Sequence, residues 1–220
     1  MTSISKEDYL KTLYLLRSDT VSKISTLAIA NRLGVSNAAT SEMAKKLNEF
    51  GLVKYVKYKG VQLTKKGEKT ALDIIRRHRL WELFLMETLN LSWNEVHEEA
   101  EKLEHNSSSF LIQQIDNYLD FPKFDPHGDP IPDSNGKMPE MPDNVRLKDA
   151  DVGGVYRIIR VDHRHKELVD YFLKLKLKLN QTIELIDRLE FDRSVSVKLN
   201  GSNHTFSEKI AGMLFVSKIK

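Results

Sequence analysis

Residues 24–64 read ISTLAIANRLGVSNAATSEMAKKLNEFGLVKYVKYKGVQLT, and this stretch decides the fold of the first third of the chain. Apolar residues recur at helical spacing from Ile24 to Leu33, which sets Leu27, Ile29, Ala30 and Leu33 on one expected buried face. Gly34-Val35-Ser36 is a tight turn, and Gly34 suits the left-handed conformation that commonly ends a helix. Ser36 or Asn37 can then cap a third helix that runs to Phe50 and closes at Gly51. Two short helices joined by a tight, glycine-containing turn make the helix-turn-helix pattern. LVKYVKYKGVQLT (52–64) alternates apolar and basic residues around Lys59-Gly60, so it reads as a β-hairpin wing. Upstream, Lys6–Arg17 carries Tyr9, Leu10, Leu13, Tyr14 and Leu16 at helical spacing, with Ser3 or Ser5 as its cap.

Charge is divided unevenly along the chain, whose net charge is only +3. Residues 1–70 hold 13 Lys/Arg against 6 Asp/Glu, a balance of +7. Such a segment wants a polyanion, and double-stranded DNA is the expected partner. Lys45 and Lys46 on the third helix and Lys54, Lys57 and Lys59 on the wing are placed to neutralise phosphates. Ser36, Asn37, Ala38, Ala39, Ser41 and Glu42 open the third helix, where base edges are read in this motif. Ala38 or Ala39 could touch a thymine methyl, and Asn37 or Ser41 could hydrogen-bond to bases. That turn has no arginine for guanine, so specificity is expected to lean on shape and apolar contact. A winged helix that binds protein is the alternative.

Residues 81–145 invert the balance, with 3 Lys/Arg against 14 Asp/Glu, or −11. That segment wants cations. His78 and Glu82 lie four apart on a helix expected from Thr64 to about Leu89. Ser92, with Glu95 three residues on, reads as the capping box of the next helix. On it His97, Glu101, Glu104 and His105 sit at i, i+4, i+7 and i+8, all on one face. Buried, such groups are costly unless paired or metal-bound; the alternative is a solvated acidic face with incidental histidines. A third helix spans about 107–119. Ile74, Leu83, Phe84, Leu85, Val96, Leu103, Phe110 and Ile115 exceed what three short helices can bury, which predicts a homodimer through about residues 72–120. Trp81 and Trp93 are read as core or interface anchors.

FPKFDPHGDPIPDSNGKMPEMP (121–142) holds all six prolines and is read as an extended connector. After it, strands are expected at Val155–Val161, Thr182–Asp187, Ser194–Leu199 and Met213–Lys218. A short helix lies at Lys166–Leu177 and a hairpin turn at Asn200-Gly201. Strand number and length predict a small SH3-like β-barrel. The fold class is therefore mainly α with small β: a winged helix-turn-helix DNA-binding domain (1–71), a helical metal-binding and dimerisation domain with the proline-rich connector (72–142), and an SH3-like domain (143–220). The 220 residues are 40% hydrophobic and 30% charged, with no apolar run that crosses a membrane and no signal-peptide pattern at the start. A cytoplasmic location is expected. The absence of cysteine excludes disulfides, thiolate zinc sites and thiol catalysis. There is no glycine-rich phosphate loop and no Ser-His-Asp order, so neither an enzyme nor a small organic cofactor is expected. A dinuclear carboxylate enzyme would place Glu-x-x-His on two helices; here only one helix is dense in Glu and His.

EDYLKTLYLL (7–16), LGVSNAATSEMAKKLNEFGLV (33–53), RRHRLWELFL (76–85), VHEEAEKLEH (96–105) and PHGDPIP (126–132) together resemble the diphtheria-toxin-repressor family of metal-dependent transcriptional regulators, in its three-domain form. The likeness covers essentially the whole chain. It implies a repressor of metal uptake or homeostasis genes that binds a palindromic operator as a homodimer. It also implies two metal sites per chain: His78, Glu82 and His97 at one, and Asp8, Glu101, Glu104 and His105 at the other. Iron-responsive members resemble Met and Cys where this chain has Asp8 and Glu101, and manganese-responsive members resemble Asp and Glu. Carboxylates are hard ligands, so Mn²⁺ is expected, with Fe²⁺ the alternative. Asp125 stands where several relatives place a Cys near the second site. Short two-domain manganese members carry a metal-binding Glu at the position of Lys11; a lysine there implies separated sites rather than a bridged pair. Asp162 is the candidate oxygen ligand from the terminal barrel to the His78 site, with His165 and Glu167 close by.

Overall fold

The structure, a computed structural model, describes residues 5–17, 23–57, 59–163 and 165–219; Ser3 lies outside them. The chain forms two compact units. The first comprises Met1–His78, Glu101–Ile112 and Pro132–Met138, and the second Arg79–Ala100, Gln113–Ile131 and Pro139–Lys220.

The first unit opens with α1 (Lys6–Leu16), whose cap Ser5 accepts a hydrogen bond from the Asp8 N–H at 2.9 Å. α2 (Thr26–Leu33) is capped in the same way by Ser25 and ends at Gly34, whose φ of 66° is the left-handed conformation a side chain would disfavour. α3 (Asn37–Glu49) starts at Ser36, whose hydroxyl accepts from the Ala39 N–H. β1 (Val53–Val56) and β2 (Gly60–Leu63) pair antiparallel, with Val53 opposite Leu63. Tyr9, Leu10, Leu13, Ile29, Ala44, Leu47, Val53 and Val61 form the core beneath them. Two expectations need correcting. Ile24 is not helical: it bridges to Val61 and adds a one-residue third strand to the wing. Leu27 is 57% exposed, because positions 29 and 30 set the inward face of a helix that starts only at Thr26.

Three helices follow: the long α4 (Lys65–Leu89), then α5 (Trp93–Leu103) and α6 (Ser109–Tyr118). Each contributes residues to both units. The start of α5 is fixed as read, with the Glu95 carboxylate accepting from the Ser92 N–H at 2.8 Å and from its hydroxyl. Phe110 on α6 is 75% exposed in the single chain, whereas Ile74, Leu83, Leu85, Val96 and Ile115 are buried.

The second unit contains a six-stranded antiparallel sheet in the order β3-β8-β4-β5-β6-β7. Its strands are β3 (Val145–Arg146), β4 (Val155–Val161), β5 (Thr182–Arg188), β6 (Val195–Leu199), β7 (Ser202–Phe206) and β8 (Leu214–Lys218), with α7 (Lys166–Lys174) and α8 (Glu208–Ala211) in the connections. The four strands expected from sequence are present. β3 and β7 are additional to them: β3 is two residues long, and SNHTF carries one apolar residue, so neither has a strand pattern to read. Tyr156, Ile158, Phe172, Ile183, Val197, Phe206 and Val216 fill the core, and Trp93 from α5 packs into it. The fold class is the one read from sequence: helical DNA-binding and dimerisation domains followed by an SH3-like sheet. Among the described residues no helix is long and apolar enough to cross a membrane.

The proline-rich connector is pinned rather than merely extended. Asp125 Oδ1 accepts from the backbone N–H groups of His127 (2.8 Å) and Asp129 (2.9 Å), an Asx-type turn. The Val161 N–H donates to the His127 carbonyl at 2.9 Å, which ties the turn to the end of β4. Gly128 sits at φ 88°, and a Cβ there would lie 2.1 Å from the Ile159 carbonyl oxygen. Only glycine permits this approach.

Candidate metal centres and nucleic-acid surface

The first cluster lies wholly in the first unit. The Ser5 cap sets Glu7 and Asp8 in the first turn of α1, and Glu101, Glu104 and His105 come from the end of α5 and the turn after it. Asp8, Glu101, Glu104 and His105 each present one ligand atom, all within 4.8 Å of one another. His105 Nε2 is 2.8 Å from Asp8 Oδ1 and 3.3 Å from Glu104 Oε1. Its other nitrogen, Nδ1, is 2.7 Å from Glu7 Oε2. That contact turns Nε2 toward the two carboxylates, the arrangement by which carboxylates orient metal-ligating histidines. Burial opposes charge on His105, but the hydrogen bond to Glu7 and the charges of Glu104, Asp8 and Glu7 outweigh it and raise its pKa.

Two further groups complete this cluster. His78 Nδ1 is 2.5 Å from Glu104 Oε2. Lys11 Nζ is 2.7 Å from Glu101 Oε1 and 2.9 Å from both oxygens of Glu104, which is fully buried. The carboxylates therefore do not face one another uncompensated, as the acidic sequence suggested. An ammonium stands between them.

The second cluster lies wholly in the second unit. Glu82 on α4 is fully buried, and its Oε1 is 3.0 Å from Nδ1 of His97 on α5. His163, just past β4, joins these two in a group with ligand atoms within 4.8 Å. Glu82, Asp125 and His127 form a second such group, buried throughout. The His127 ring stacks on His163 with centroids 4.0 Å apart and lies 5.5 Å from Trp93. His127 Nδ1 is 3.8 Å from Glu82 Oε2 and 4.0 Å from Asp125 Oδ1. Both His127 ring nitrogens and Asp125 Oδ2 lack a hydrogen bond among the described residues, although Arg79 Nε lies 3.7 Å from that oxygen. Burial, then neighbouring Asp129 and Glu82, raises the Asp125 pKa well above the carboxylate range. Burial, then His163, lowers that of His127 to about 3. Buried lone pairs left without hydrogen bonds are costly, and a cation coordinated by them would remove that cost. By this test the residues fit a metal.

The sequence reading placed Asp125 beside the Asp8 group; the structure places it with Glu82 and His127. His127 and His163 were missed. PHGDPIP carries the family resemblance, but an imidazole inside a proline-rich connector has no helical spacing to betray it. Asp162, the expected oxygen ligand from the terminal barrel, is half-buried and its N–H donates to the Met213 carbonyl at 2.9 Å. His165 precedes α7 and Glu167 lies in its first turn.

Ser36, Asn37, Ala38, Ala39 and Glu42 are exposed at the start of α3, and Ser41 is half-buried. The Ser36 hydroxyl is committed to its cap, which leaves Asn37, Ala38, Ala39 and Ser41 as the free surface. Lys45, Lys46, Lys54, Lys57 and Lys59 are all exposed; Lys46 also pairs with Glu42 at 3.3 Å.

Comparison with known proteins agrees in every segment. Residues 1–61 match the model for the iron dependent repressor N-terminal DNA binding domain, 64–133 that for the iron dependent repressor metal binding and dimerisation domain, and 145–218 the FeoA domain. A solved manganese-dependent transcriptional repressor in complex with manganese is 36% identical, covers 98% of this chain and all of its own, and superposes with a TM-score of 0.89. The diphtheria toxin repressor of Corynebacterium diphtheriae is 26% identical over 97% of this chain and 96% of its own. The iron-dependent repressor IdeR of Mycobacterium tuberculosis is 34% identical over 57% of this chain, and the match spans only 54% of that protein. The chain belongs to the iron-dependent repressor family of metal-dependent transcriptional repressors, whose members are regulators and not enzymes.

Proposed function

We propose that the protein is a Mn²⁺-activated repressor that binds a palindromic operator as a homodimer and controls metal uptake or homeostasis genes. One observation carries this reading: Asp8, on the first helix of the winged domain, converges with Glu101, Glu104 and His105 at the end of α5. Bound there, a dication would supply electrostatic cross-linking between α1 and α5. Asp8 would thereby hold the winged domain in one position, and Glu104 and His105 would anchor that position in a buried setting. Linkage then requires DNA to raise metal affinity by the factor by which metal raises DNA affinity.

A second metal site takes Glu82, His97, Asp125, His127 and His163 as its candidate ligands. His78 is the expected third partner of Glu82 and His97, and its 2.5 Å contact with Glu104 gives it a place beside the first cluster as well. Both donor sets contain only carboxylate oxygen and imidazole nitrogen, which supports Mn²⁺ over softer ions. The name of the mycobacterial relative supports Fe²⁺ as the second reading. The three-domain division at 1–71, 72–142 and 143–220 is part of this proposal, as is dimerisation through 72–120, where Phe110 remains exposed. The recognition surface is the start of α3, with Lys45, Lys46, Lys54, Lys57 and Lys59 on phosphates.

The test is DNA binding by metal-stripped protein, on a duplex selected from a random pool by the Mn²⁺-loaded protein. Mn²⁺, Fe²⁺ under anaerobic conditions, Zn²⁺ and Mg²⁺ are titrated separately. Activation by Mn²⁺ at lower concentration than by Mg²⁺ or Zn²⁺ is expected. Equal DNA affinity with and without every metal overturns the proposal.

A further inference from the structure

We infer that Lys11 is a tethered cation that stands in for the metal at the Asp8–Glu101–Glu104–His105 cluster and sets the metal concentration at which the protein responds. The inference rests on the reading of that cluster as a metal site.

Lys11 lies one turn after Asp8 on α1, and its side chain is 11% exposed. An ammonium has three protons to give. Here it faces Glu101 Oε1 at 2.7 Å and both Glu104 oxygens at 2.9 Å, with His78 Nδ1 at 3.3 Å. Its hydrogen-bonding capacity is spent on two of the four proposed ligands. Glu104 is fully buried, and a buried carboxylate is costly without a counter-charge. Lys11 provides one from within the chain, and in doing so docks α1 against the end of α5 without any metal.

The same oxygens cannot serve both partners. A dication that takes Glu104 must displace the ammonium from at least one oxygen, and while Lys11 stays close the two cations repel. Metal binding at this cluster is therefore an exchange of one cation for another. The chain's own lysine raises the metal concentration needed, and it keeps the metal-free cluster assembled instead of splayed by its carboxylates. Lysine suits such a competitor, being a compact charge on a flexible stem that can swing away once displaced.

The experiment uses the full chain with Lys11→Met, which keeps the apolar stem and removes the charge, and Lys11→Arg, which keeps the charge. Mn²⁺ binding is followed by the loss of the free-Mn²⁺ spin-resonance signal, with Glu82→Gln in every background so that only the Asp8 cluster is read. Backbone amide exchange of residues 6–16 and 101–105 is measured without metal. Lys11→Met should bind Mn²⁺ at least tenfold more tightly than the parent, and its metal-free amides should exchange faster. Lys11→Arg should stay within about threefold of the parent. Equal or weaker Mn²⁺ binding by Lys11→Met overturns the inference, as does unchanged amide exchange. A parent that takes up no Mn²⁺ at this cluster overturns the metal-site reading and the inference with it. The parent titration alone distinguishes that case.

Discussion

Glu104→Gln keeps the shape of a fully buried side chain and removes its charge. Three groups lose a charged partner: Lys11 Nζ at 2.9 Å, His78 Nδ1 at 2.5 Å and His105 Nε2 at 3.3 Å. Removing one member of a buried ion pair costs about 3–5 kcal/mol. Two features reduce that figure here. Lys11 keeps Glu101 at 2.7 Å, and the amide oxygen still accepts a hydrogen bond. The expected loss is about 2–3 kcal/mol, and at 2–4 °C per kcal/mol for a chain of this size Tm should fall by about 5–10 °C. Alanine would add a cavity to this loss, so glutamine isolates the charge. On the metal side, a ligand at a hundredfold excess over its Kd stabilises the folded state by about 2.7 kcal/mol per site. Metal-stripped parent and variant should be melted by circular dichroism across a Mn²⁺ titration, with DNA binding followed by fluorescence anisotropy in parallel. The variant should lose the share of the Mn²⁺-induced rise in Tm that comes from this cluster, and with it the DNA response. A variant that melts with the parent and responds to Mn²⁺ like the parent would refute the assignment of Glu104 as both buried counter-charge and ligand.

Changing Lys45 and Lys54 together to Ala should weaken binding to all duplexes and flatten the log-log salt dependence by about two units, since each lost phosphate contact removes about 0.9; an unchanged slope would move the DNA surface elsewhere. Glu7→Gln should weaken Mn²⁺ binding about 10–100-fold by releasing the orientation of His105, while the melting curve of metal-free protein shifts far less than in Glu104→Gln. His127→Ala should lower metal content by one Mn²⁺ per chain in native mass spectrometry; retention of the parent's stoichiometry would remove the connector from the second site. Phe110→Asp should weaken a dimer built on 72–120 by about thirtyfold or more in sedimentation, the measure of one buried aromatic anchor, and an undisturbed dimer would place the interface off α6.

Helix-forming segments with strong periodicity were legible: α1, α3 and α4 begin within a residue of their expected starts, and the Ser5, Ser36 and Ser92/Glu95 caps were readable because capping is local chemistry. Glu101, Glu104 and His105 of the Asp8 cluster were legible for the same reason, since they share one helix face or the turn after it; Asp8 itself, on another helix, came only from the family resemblance. Ile24 and Leu27 were misread because tertiary pairing with Val61, not local period, decides where α2 starts. His127 and His163 were not legible from spacing. They meet Glu82 only through a turn held by Asp125, a glycine squeezed against Ile159, and the end of β4. Lys11 was visible as a residue that could not ligate metal. What it does instead depends on the length of its reach across to α5, which sequence spacing does not encode.

Both clusters are assembled from oxygen and imidazole nitrogen, in a chain with no cysteine. A thiolate ligand would carry a second sensitivity, because a thiolate accessible to oxidants is converted to sulfenic acid or a disulfide and ceases to coordinate. Carboxylates and imidazoles do not climb that oxidation ladder. As metal ligands, these donors would report cation availability separately from the redox poise of their surroundings. A peroxide pulse that silences a sulfur-liganded sensor would leave the proposed thiol-free donor set without a sulfur to oxidise.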